Sequence, residues 1–388
     1  ELLDFYSTNS LSWEQLEYGE KAMMNLHYGL IHVGLPTMVD LRRDKLPNVK
    51  EGNMPKNFEL CKEGDVAFAD ASEDTNEVAK VIELFNLDNK DIVCGLHTIH
   101  GRDNKNKTIV GFKGYAFSSS AFHNQIRRIA QGTKIYSIST KNFSECYVGI
   151  PSKAEQTKIA TLLRLIDERI ATQNKIIEKL QSLIKGLNDN IHKGIKGETV
   201  CFSDLGEAYS GLSGKGGDDF GYGEPFITYM NVYQNTYISE KDYELVQIAP
   251  NEKQNSVQYG DALFTLSSET PEEVGIGAVY LGNTQKLYLN SFCFGIHFYD
   301  ERVLPQYLAH FISSSSFRRA IYPLAQGSTR FNLQKNDFMK MKFLLPSLEK
   351  QGHIANTLDA LHCRLANEKS LTEQYILLKK YLLSLMFI

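Results

Sequence analysis

Three residues in the first half of the chain are of the types that commonly bind zinc in proteins: Cys94, His97 and His100. Their spacing matches none of the Cys/His patterns of known zinc sites, and the segment around them alternates like a strand. The six cysteines are scattered, with no Cys-x-x-Cys pair, which is typical of reduced structural thiols. The sequence therefore predicts no metal site.

A second segment resembles a chemical motif without completing it. Residues 211–216 (GLSGKG) look like a phosphate-binding loop, but position 209 is not glycine and no Ser or Thr follows Lys215. The chain also lacks an Asn-Pro-Pro-Tyr-like motif for adenine methylation and a glycine-rich nucleotide fingerprint. We therefore expect a protein that is not an enzyme and has no cofactor of its own.

Charge is unevenly distributed along the chain. The net charge is −4, yet lysine and arginine far outnumber acids between residues 95 and 141 and between residues 310 and 342. These clusters favour two surfaces that face a polyanion, although two solvated faces would give the same pattern. No apolar run reaches the roughly 18 residues of a membrane span, and the start lacks a signal-peptide layout, so we expect a cytoplasmic protein without membrane contact.

The chain is a tandem repeat. At an offset of 195 residues, residues 122–163 align without a gap with residues 317–358, and both segments contain Ala-Gln-Gly. Nearer the front, aligning Met24-Asn25 with Met230-Asn231 requires an offset of 206. Insertions therefore accumulate in the front of each repeat, which is typical of loops, whereas the back has a fixed length.

A long heptad helix forms the back of each repeat. Apolar residues alternate at spacings of four and three, with Gln173 the single polar member, and Ser152 with Glu155 forms a capping pattern. In the second helix the stripe slips after Leu365, and such a skip locally overwinds a coiled coil. The slipped stripe consists of Leu371, Tyr375, Leu378, Leu382 and Leu385. The predicted seam consists of Ile159, Leu163, Ile166, Ile170, Ile177, Leu180, Ile184, Leu187, Ile354, Leu358, Leu361, Leu365, Leu378 and Leu382.

Helices this long and one-sided need a partner for their apolar stripe. The simplest solution is an antiparallel coiled coil of the two copies, with the front domains at opposite ends of a rod and related by a pseudo-twofold axis. The alternative is that each helix packs only on its own domain.

The front parts mix short strand patterns with helical patterns, so the fold class is α+β, with two α/β globules separated by the paired helices. The predicted segments are the first globule (1–151), the central helix (152–191), a linker (192–199), the second globule (200–346) and the C-terminal helix (347–388).

The order of motifs in both repeats points to a family. Residues 131–133 (QGT) and 326–330 (QGSTR) each lead through a phenylalanine to Pro-Ser, a Gln, Ile-Ala and the long helix. This order resembles the specificity subunit of type I restriction-modification systems, whose target-recognition domains end in a Gly-Ser/Thr turn and an apolar-Pro step before a Glu-Gln-x-x-Ile helix. Residues 155–159 match fully, whereas Lys350 replaces the acid in the second copy. The resemblance covers essentially the whole chain.

The resemblance implies a non-catalytic subunit that reads a bipartite, asymmetric target in double-stranded DNA, one half-site per globule, with the helices setting the spacer. It also implies binding to two methyltransferase subunits, which would carry S-adenosylmethionine, and to nuclease-translocase subunits. Two alternatives stay open: a coiled-coil adaptor that binds proteins without reading DNA, and the recognition part of a single-chain restriction-methylation enzyme.

Within this interpretation, basic residues would contact phosphates and polar residues near the front of each repeat would contact base edges. Any one of them could instead be an ordinary surface or turn residue. The expected DNA-binding residues are Asn25, His27, Tyr28, Arg102, Lys105, Lys107, Arg127, Arg128, Lys134, Asn231, Tyr233, Gln234, Arg318, Arg319, Arg330 and Lys335.

Overall fold

The computed structural model of the protein describes residues 2–19 and 23–387. It divides into two compact units: Glu1–Asn174 with Ser370–Ile388, and Lys175–Lys369. Each unit contains one globule and one half of each long helix. The sequence had treated the helices as segments separate from the globules, whereas in the structure each helix half packs with a globule.

The first unit is built mainly of short strands. Its strands are β1 Asp4–Tyr6, β2 Leu16–Glu17, β3 Met23–Leu26, β4 Met38–Asp40, β5 Asn48–Val49, β6 Val66–Ala69, β7 Ala71–Ser72, β8 Val81–Asn86, β9 Asp91–Cys94, β10 Thr98–Arg102 and β11 Tyr136–Ser137. Its helices are α1 Tyr28–His32, α2 Lys113–Phe117, α3 Ser120–Ile129, α4 Thr140–Phe143 and the first half of the long helix α5 Lys153–Lys193.

The second unit repeats this plan. Its strands are β12 Glu198–Cys201, β13 Gly206–Ser210, β14 Phe220–Ile227, β15 Tyr243–Val246, β16 Ala262–Thr265, β17 Ser267–Ser268, β18 Gly277–Val279, β19 Tyr288–Leu289, β20 Cys293–Phe298, β21 Ala325–Gln326, β22 Phe331–Leu333 and β23 Lys342–Leu345. Its helices are α6 Phe202–Leu205, α7 Tyr229–Gln234, α8 Pro305–Ile312, α9 Ser315–Ile321, α10 Lys335–Met339 and the first half of α11 Leu348–Met386.

The main sheets of the two units share four strands in the same order, and the first unit adds β4 at the edge. In the first unit the order is β1-β10-β6-β8-β4, and in the second it is β13-β20-β16-β18. A second sheet in each unit contains one parallel pair, β3 with β9 and β14 with β19. The repeat seen in the sequence is therefore a repeat of fold, and its buried strands, such as β6 and β16, are fully apolar or small because both of their faces are covered.

The long helices pair in each unit. In the first unit, Ala160 and Leu163 of α5 share an apolar cluster with Leu382 of α11 and with Phe387, which follows α11 directly. Further along α5, Asp167 lies 2.6 Å from the Nζ of Lys379. Residue numbers thus rise on one helix as they fall on the other, so the pairing is antiparallel, as predicted.

The second unit pairs its helix halves in the same sense. Leu180 and Ile184 of α5 pack with Leu361 and Leu365 of α11, and Leu187 packs against the cluster that holds the start of α11. Each fully buried leucine or isoleucine side chain contributes about 1.5–3 kcal/mol. In the part of the chain that the structure describes, neither helix is apolar enough over a sufficient length to cross a membrane.

The predicted slip in the second helix is wrong. Leu378 and Leu385 are 43% and 49% exposed, and the heptad spacing continues unbroken through Thr372, Tyr375 and Lys379. Thr372 is buried, and Lys379 is accommodated because its ammonium group pairs with Asp167. An apolar pattern alone misplaced the seam because polar side chains occupy several of its positions.

A buried glutamine attaches each long helix to its globule. The side-chain oxygen of Gln156 accepts a hydrogen bond from the backbone N–H of Ile109 at 2.9 Å, and its amide nitrogen donates to the carbonyls of Lys107 and Pro151 at 3.1 and 2.9 Å. The equivalent bonds of Gln351 join Leu304, Arg302 and Pro346 at 2.7, 2.8 and 2.9 Å. This explains why the motif at the start of each helix requires glutamine, since methionine would fill the space but form none of these bonds.

We predict that Gln156→Met lowers the free energy of unfolding of the first unit by about 2–4 kcal/mol, because buried backbone groups lose their partners. Urea unfolding followed by circular dichroism measures the change. The control is Lys158→Met, at an exposed position of the same helix, which should change stability by less than about 0.5 kcal/mol. Equal effects of the two variants would contradict the role of the glutamine.

Candidate nucleic-acid interface

One end of the main sheet in the first unit gathers three loops. Strand β6 ends at Ala69, opposite Thr98 at the start of β10. Beyond that pair, the backbone N–H of Asp70 donates to the carbonyl of His97 at 3.1 Å, and the N–H of Ile138 donates to the carbonyl of Asp70 at 2.9 Å. The loop after β6, the turn before β10 and the hairpin of residues 131–137 therefore meet, and we call this the hairpin end.

The second unit forms the same hairpin end with the same backbone hydrogen bonds. The N–H of Leu266 donates to the carbonyl of Phe292, and the N–H of Leu333 donates to the carbonyl of Leu266, both at 2.8 Å. The hairpin here consists of residues 325–333, with β21 paired to β22. The two copies thus share a backbone scaffold at this end while their side chains differ.

A glycine shapes each hairpin. Gly132 and Gly327 have φ angles of 142° and 143°, a region that side chains rarely enter. In addition, a Cβ atom at either position would collide with a backbone carbonyl oxygen, that of Ile135 or of Arg330. The glycine of the Gln-Gly-Ser/Thr motif is therefore required by the backbone of the turn.

A short helix after the parallel strand brings a tyrosine to each hairpin end. Leu26 pairs with Cys94, and Ile227 pairs with Leu289, so the two strands are equivalent at an offset of 201. Tyr28 and Tyr229 then begin the two helices. The alignment at an offset of 206 is therefore wrong, because it matched residue types across a loop whose length differs between the copies.

In the first unit these elements surround a surface cavity of about 640 Å³. Tyr28 forms one wall, and the ring of His97 meets it edge-on at 5.2 Å. Glu77 lies 3.7 Å from the ring of His32, and Ile135 reaches the cavity from the hairpin with 61% of its side chain exposed. The cavity thus offers carboxylate, ammonium, imidazole and apolar groups in one place, with the Nζ of Lys80 2.8 Å from the carboxylate of Glu77.

The hairpin end of the second unit has a different set of side chains. Tyr229 stacks on Tyr233 at 6.0 Å, and the hydroxyl of Tyr233 donates to Glu273 at 2.8 Å. This hydrogen bond holds the pKa of Glu273 below its ordinary value, so the carboxylate stays charged. Phe292 is 54% exposed, with the Arg330 guanidinium 5.8 Å from the centre of its ring.

The loop after β7 and β17 contributes the two glutamates, which the sequence interpretation missed. Glu77 contacts His32, and Glu273 contacts Tyr233, and these pairs are equivalent between the copies. A signal was present, since residues 72–78 and 268–274 share Ser, Glu, Glu and Val at the same positions, at an offset of 196. This signal is acidic, whereas the predicted phosphate contacts are basic residues.

Some predicted contact residues do lie at or near the hairpin ends. Lys134 is exposed in the first hairpin, and Arg127 donates to the side chain of Asn76 in the neighbouring loop at 2.8 Å. Lys335 donates to Ser210 at 3.1 Å, close to the start of β20. Arg128 and Gln234 are also exposed, in the last turns of α3 and α7.

Other predicted basic residues lie elsewhere. Lys105 and Lys107 follow the far end of β10, next to the long helix. Arg318 donates to the carbonyls of residues 272, 274 and 275 at 2.6–2.7 Å, so it holds the glutamate loop instead of facing outward. Arg319 lies close enough to Asp189 of α5 for its charge to help lower the pKa of that carboxyl group. The basic cluster in the sequence is therefore not one surface.

Four predicted contact residues are buried, which corrects their assignment. Asn25 is fully buried and donates to Asn9. The Nδ1 of His27 accepts the N–H of Gly29 at 3.2 Å, and burial lowers the pKa of His27, which keeps this acceptor neutral. Arg102 is 7% exposed and is paired with Asp65 and Glu59. Asn231 accepts from Asn235 and Ser239 and donates to the Ser239 carbonyl. Their polarity serves internal hydrogen bonds, which spacing could not reveal.

The structure groups the candidate zinc ligands differently from the sequence, in which Cys94, His97 and His100 are the nearest neighbours. His97 turns to the surface, where its ring lies 3.1 Å from Asp70. Cys61, from before β6, takes its place beside Cys94 and His100, and ligand atoms of the three lie within 4.8 Å of one another.

Sequence comparison decides the family. The model of the type I restriction modification DNA specificity domain matches twice, at residues 44–182 and 197–374, which together make up most of the chain. The protein belongs to this family. Its two specificity domains correspond to the two repeats, and each match runs from the globule into the long helix that follows.

Known proteins agree with this assignment. The specificity subunit of the type I restriction enzyme EcoKI from Escherichia coli K12 is 25% identical over 279 residues, which are 65% of this chain and 58% of that subunit. The chain thus matches less than two thirds of that relative's length. Two solved structures share the fold. The type I restriction-modification S subunit from M. genitalium has 14% sequence identity and a TM-score of 0.54, and the match covers 100% of this chain and 94% of that one. A chain from a study of complex assembly in the type I R-M system has 15% identity and a TM-score of 0.59, and the match covers 93% of this chain and 90% of that one.

We predict that Gly132→Ala and Gly327→Ala each destabilise the specificity-domain protein by about 1–3 kcal/mol, because of the backbone strain. Urea midpoints measure the change. The controls are Gly186→Ala and Gly352→Ala, in the long helices with open space around the added methyl group, which should stabilise by about 0.5–1 kcal/mol. A stabilising effect at Gly327 would show that the hairpin tolerates a side chain.

Proposed function

We propose that the chain is the sequence-reading subunit of a type I restriction-modification complex, with each hairpin end reading one half of a bipartite DNA target. The observation that carries this proposal is the duplication itself. Two copies of one backbone scaffold present different side chains at the same place, as expected if each copy reads a different set of bases. A protein-only adaptor would not need this divergence at one shared site.

The groups at the hairpin ends suit base edges. Carboxylates such as those of Glu77 and Glu273 accept hydrogen bonds from the amino group of cytosine. Exposed apolar side chains, such as Ile135 and Phe292, suit contact with the thymine methyl group. The sites therefore combine polar and apolar readout within each unit.

Phosphate contacts would come from the cations around these sites. Lys134 and Arg127 flank the first site, and Arg330 and Lys335 flank the second. Such contacts position a protein on DNA, whereas base contacts supply specificity. The net charge of −4 is compatible with this role because the cations are local and partner subunits add their own.

The paired helices would fix the distance between half-sites and bind the methyltransferase subunits, two per chain, which hold S-adenosylmethionine. Nuclease-translocase subunits would join this core. The chain itself would contribute no catalytic group. A rigid coiled coil suits a spacer better than a flexible linker does.

A face of α11 offers a docking surface for a methyltransferase helix. Leu377, Leu378, Tyr381 and Leu385 are between 43% and 65% exposed, and Leu378, Tyr381 and Leu385 share one face at spacings of three and four. An apolar stripe with an exposed tyrosine is typical of protein interfaces. Leu378, which the sequence had placed in the seam, would thus have a different role.

We predict that Glu77→Gln changes the bases accepted at one half-site and Glu273→Gln those at the other, by about 1–3 kcal/mol of discrimination. Mapping of methylated adenines in cells that carry the chain with its methyltransferase measures this. In binding assays with the same complex, Lys134→Ala should weaken the binding of all DNA sequences alike. It should also lower the number of counterions released on binding, measured from the salt dependence of the affinity, by about one.

The matched control for Lys134 is Lys105→Ala, at the far end of the sheet, which should leave affinity unchanged. An unaltered methylation pattern in both glutamate variants would contradict reading by the hairpin ends. Equal effects of the two lysine variants would show that DNA does not approach this end selectively.

For docking, we predict that Leu378→Asp weakens binding of the methyltransferase subunit at least about tenfold, because a charge would be buried at the interface. Pull-down at several concentrations measures this, with circular dichroism to check the helix. The control Asn367→Asp adds a charge at another exposed position of α11 and should have no effect. Unchanged binding of Leu378→Asp would place the partner elsewhere.

A further inference from the structure

Three buried side chains of the first unit form a group with the composition of a zinc site. Cys61, Cys94 and His100 are at most 5% exposed. The sulfur atoms of the two cysteines are 3.6 Å apart, and two thiolates on one tetrahedral zinc ion, each at about 2.3 Å, would be separated by about 3.8 Å. The thiols are therefore already spaced for a shared metal ion.

The imidazole of His100 provides an independent observation. Its Nε2 lies 2.7 Å from a carboxylate oxygen of Asp65, whereas its Nδ1 is buried with no hydrogen-bond partner among the described residues. Buried polar atoms are nearly always paired. A carboxylate on one ring nitrogen and a metal ion on the other is the common arrangement of zinc-binding histidines.

The charges around the group also balance. Asp65 is held by Arg102, with nitrogen-oxygen distances of 2.8–3.1 Å, and by the backbone N–H of Lys62 at 2.8 Å. One divalent ion would compensate for the two thiolates beside this pair. On binding, each thiol loses its proton to solvent, so two protons are released per zinc ion.

The second unit replaces all three ligand-type residues together. Val257, Leu289 and Gly295 occupy the equivalent positions, as the matching backbone pairs show. Asp261 is retained, but its partners are the hydroxyl of Tyr209 at 2.7 Å and the ring of His297 at 2.8 Å. The ring of Tyr209 lies where a Cβ atom at position 295 would be, so a tyrosine fills the space.

We propose that the first unit binds one structural zinc ion through the sulfur atoms of Cys61 and Cys94 and the Nδ1 of His100, with water as the fourth ligand. The ion joins β9 of one sheet to β10 of the other. It thereby fixes the turn of residues 95–97, which carries His97 into the cavity at the hairpin end. The same place in the second unit is stabilised by Tyr209.

The test uses the full chain, unfolded with a chelator and reductant and refolded with or without Zn²⁺, because the site is too buried for rapid exchange. Elemental analysis should find one zinc ion per chain. Refolding with Co²⁺ should give the visible bands of a tetrahedral site and thiolate-to-cobalt charge transfer. A metal-free chain with all thiols reduced, or cobalt bound without thiolate bands, would overturn the proposal.

Variants locate the ion. Cys61→Val and Cys94→Leu introduce residues that the second unit has at these positions, and each should abolish metal binding. Cys293→Val, at a buried cysteine of the second unit, is the matched control and should retain one ion. Retention of the cobalt spectrum by Cys61→Val would overturn the assignment, and if that variant fails to fold, the thiolate-to-cobalt bands of the wild-type chain decide.

Discussion

The structure depends on the burial of one apolar stripe between two long helices. Neither helix could hold its stripe in water, and each finds its partner in the other copy of the repeat. Because the pairing is antiparallel in both units, each globule packs on the start of one helix and the end of the other. The buried Gln156 and Gln351 then attach each globule at the same place on its helix.

The two copies of the repeat share their backbone structure at the hairpin ends but differ in the side chains exposed there. The hydrogen bonds that join the loops at the hairpin ends are the same in both units, and so is the conformation of Gly132 and Gly327. The side chains that these loops expose have diverged, from His97 and Ile135 to Phe292 and Arg330. This division suits the proposed reading of two different half-sites, because a rigid scaffold positions groups that can change without loss of the fold.

Each unit buries an aspartate beneath its hairpin end, and the two units provide different partners for its carboxylate. Asp65 is satisfied by Arg102 and His100, with two thiols nearby, whereas Asp261 is satisfied by Tyr209 and His297. Both solutions pair a buried carboxylate, as the cost of desolvation demands. They differ in the neighbouring groups: among the described residues, a buried imidazole and two thiols lie close together beside Asp65 but not beside Asp261.

The sequence by itself determined the repeat, the family, the two long helices and most of their seam, because apolar periodicity and capping are local properties of the chain. The family resemblance also predicted a turn at Gly132 and Gly327. Only the tertiary structure decided that Arg102 and Asn25 are internal, that the seam runs through Lys379 and that Cys61 lies beside Cys94. These facts depend on which distant groups surround a side chain, and a polar residue has the same letter whether its partner is solvent, DNA or a buried carboxylate.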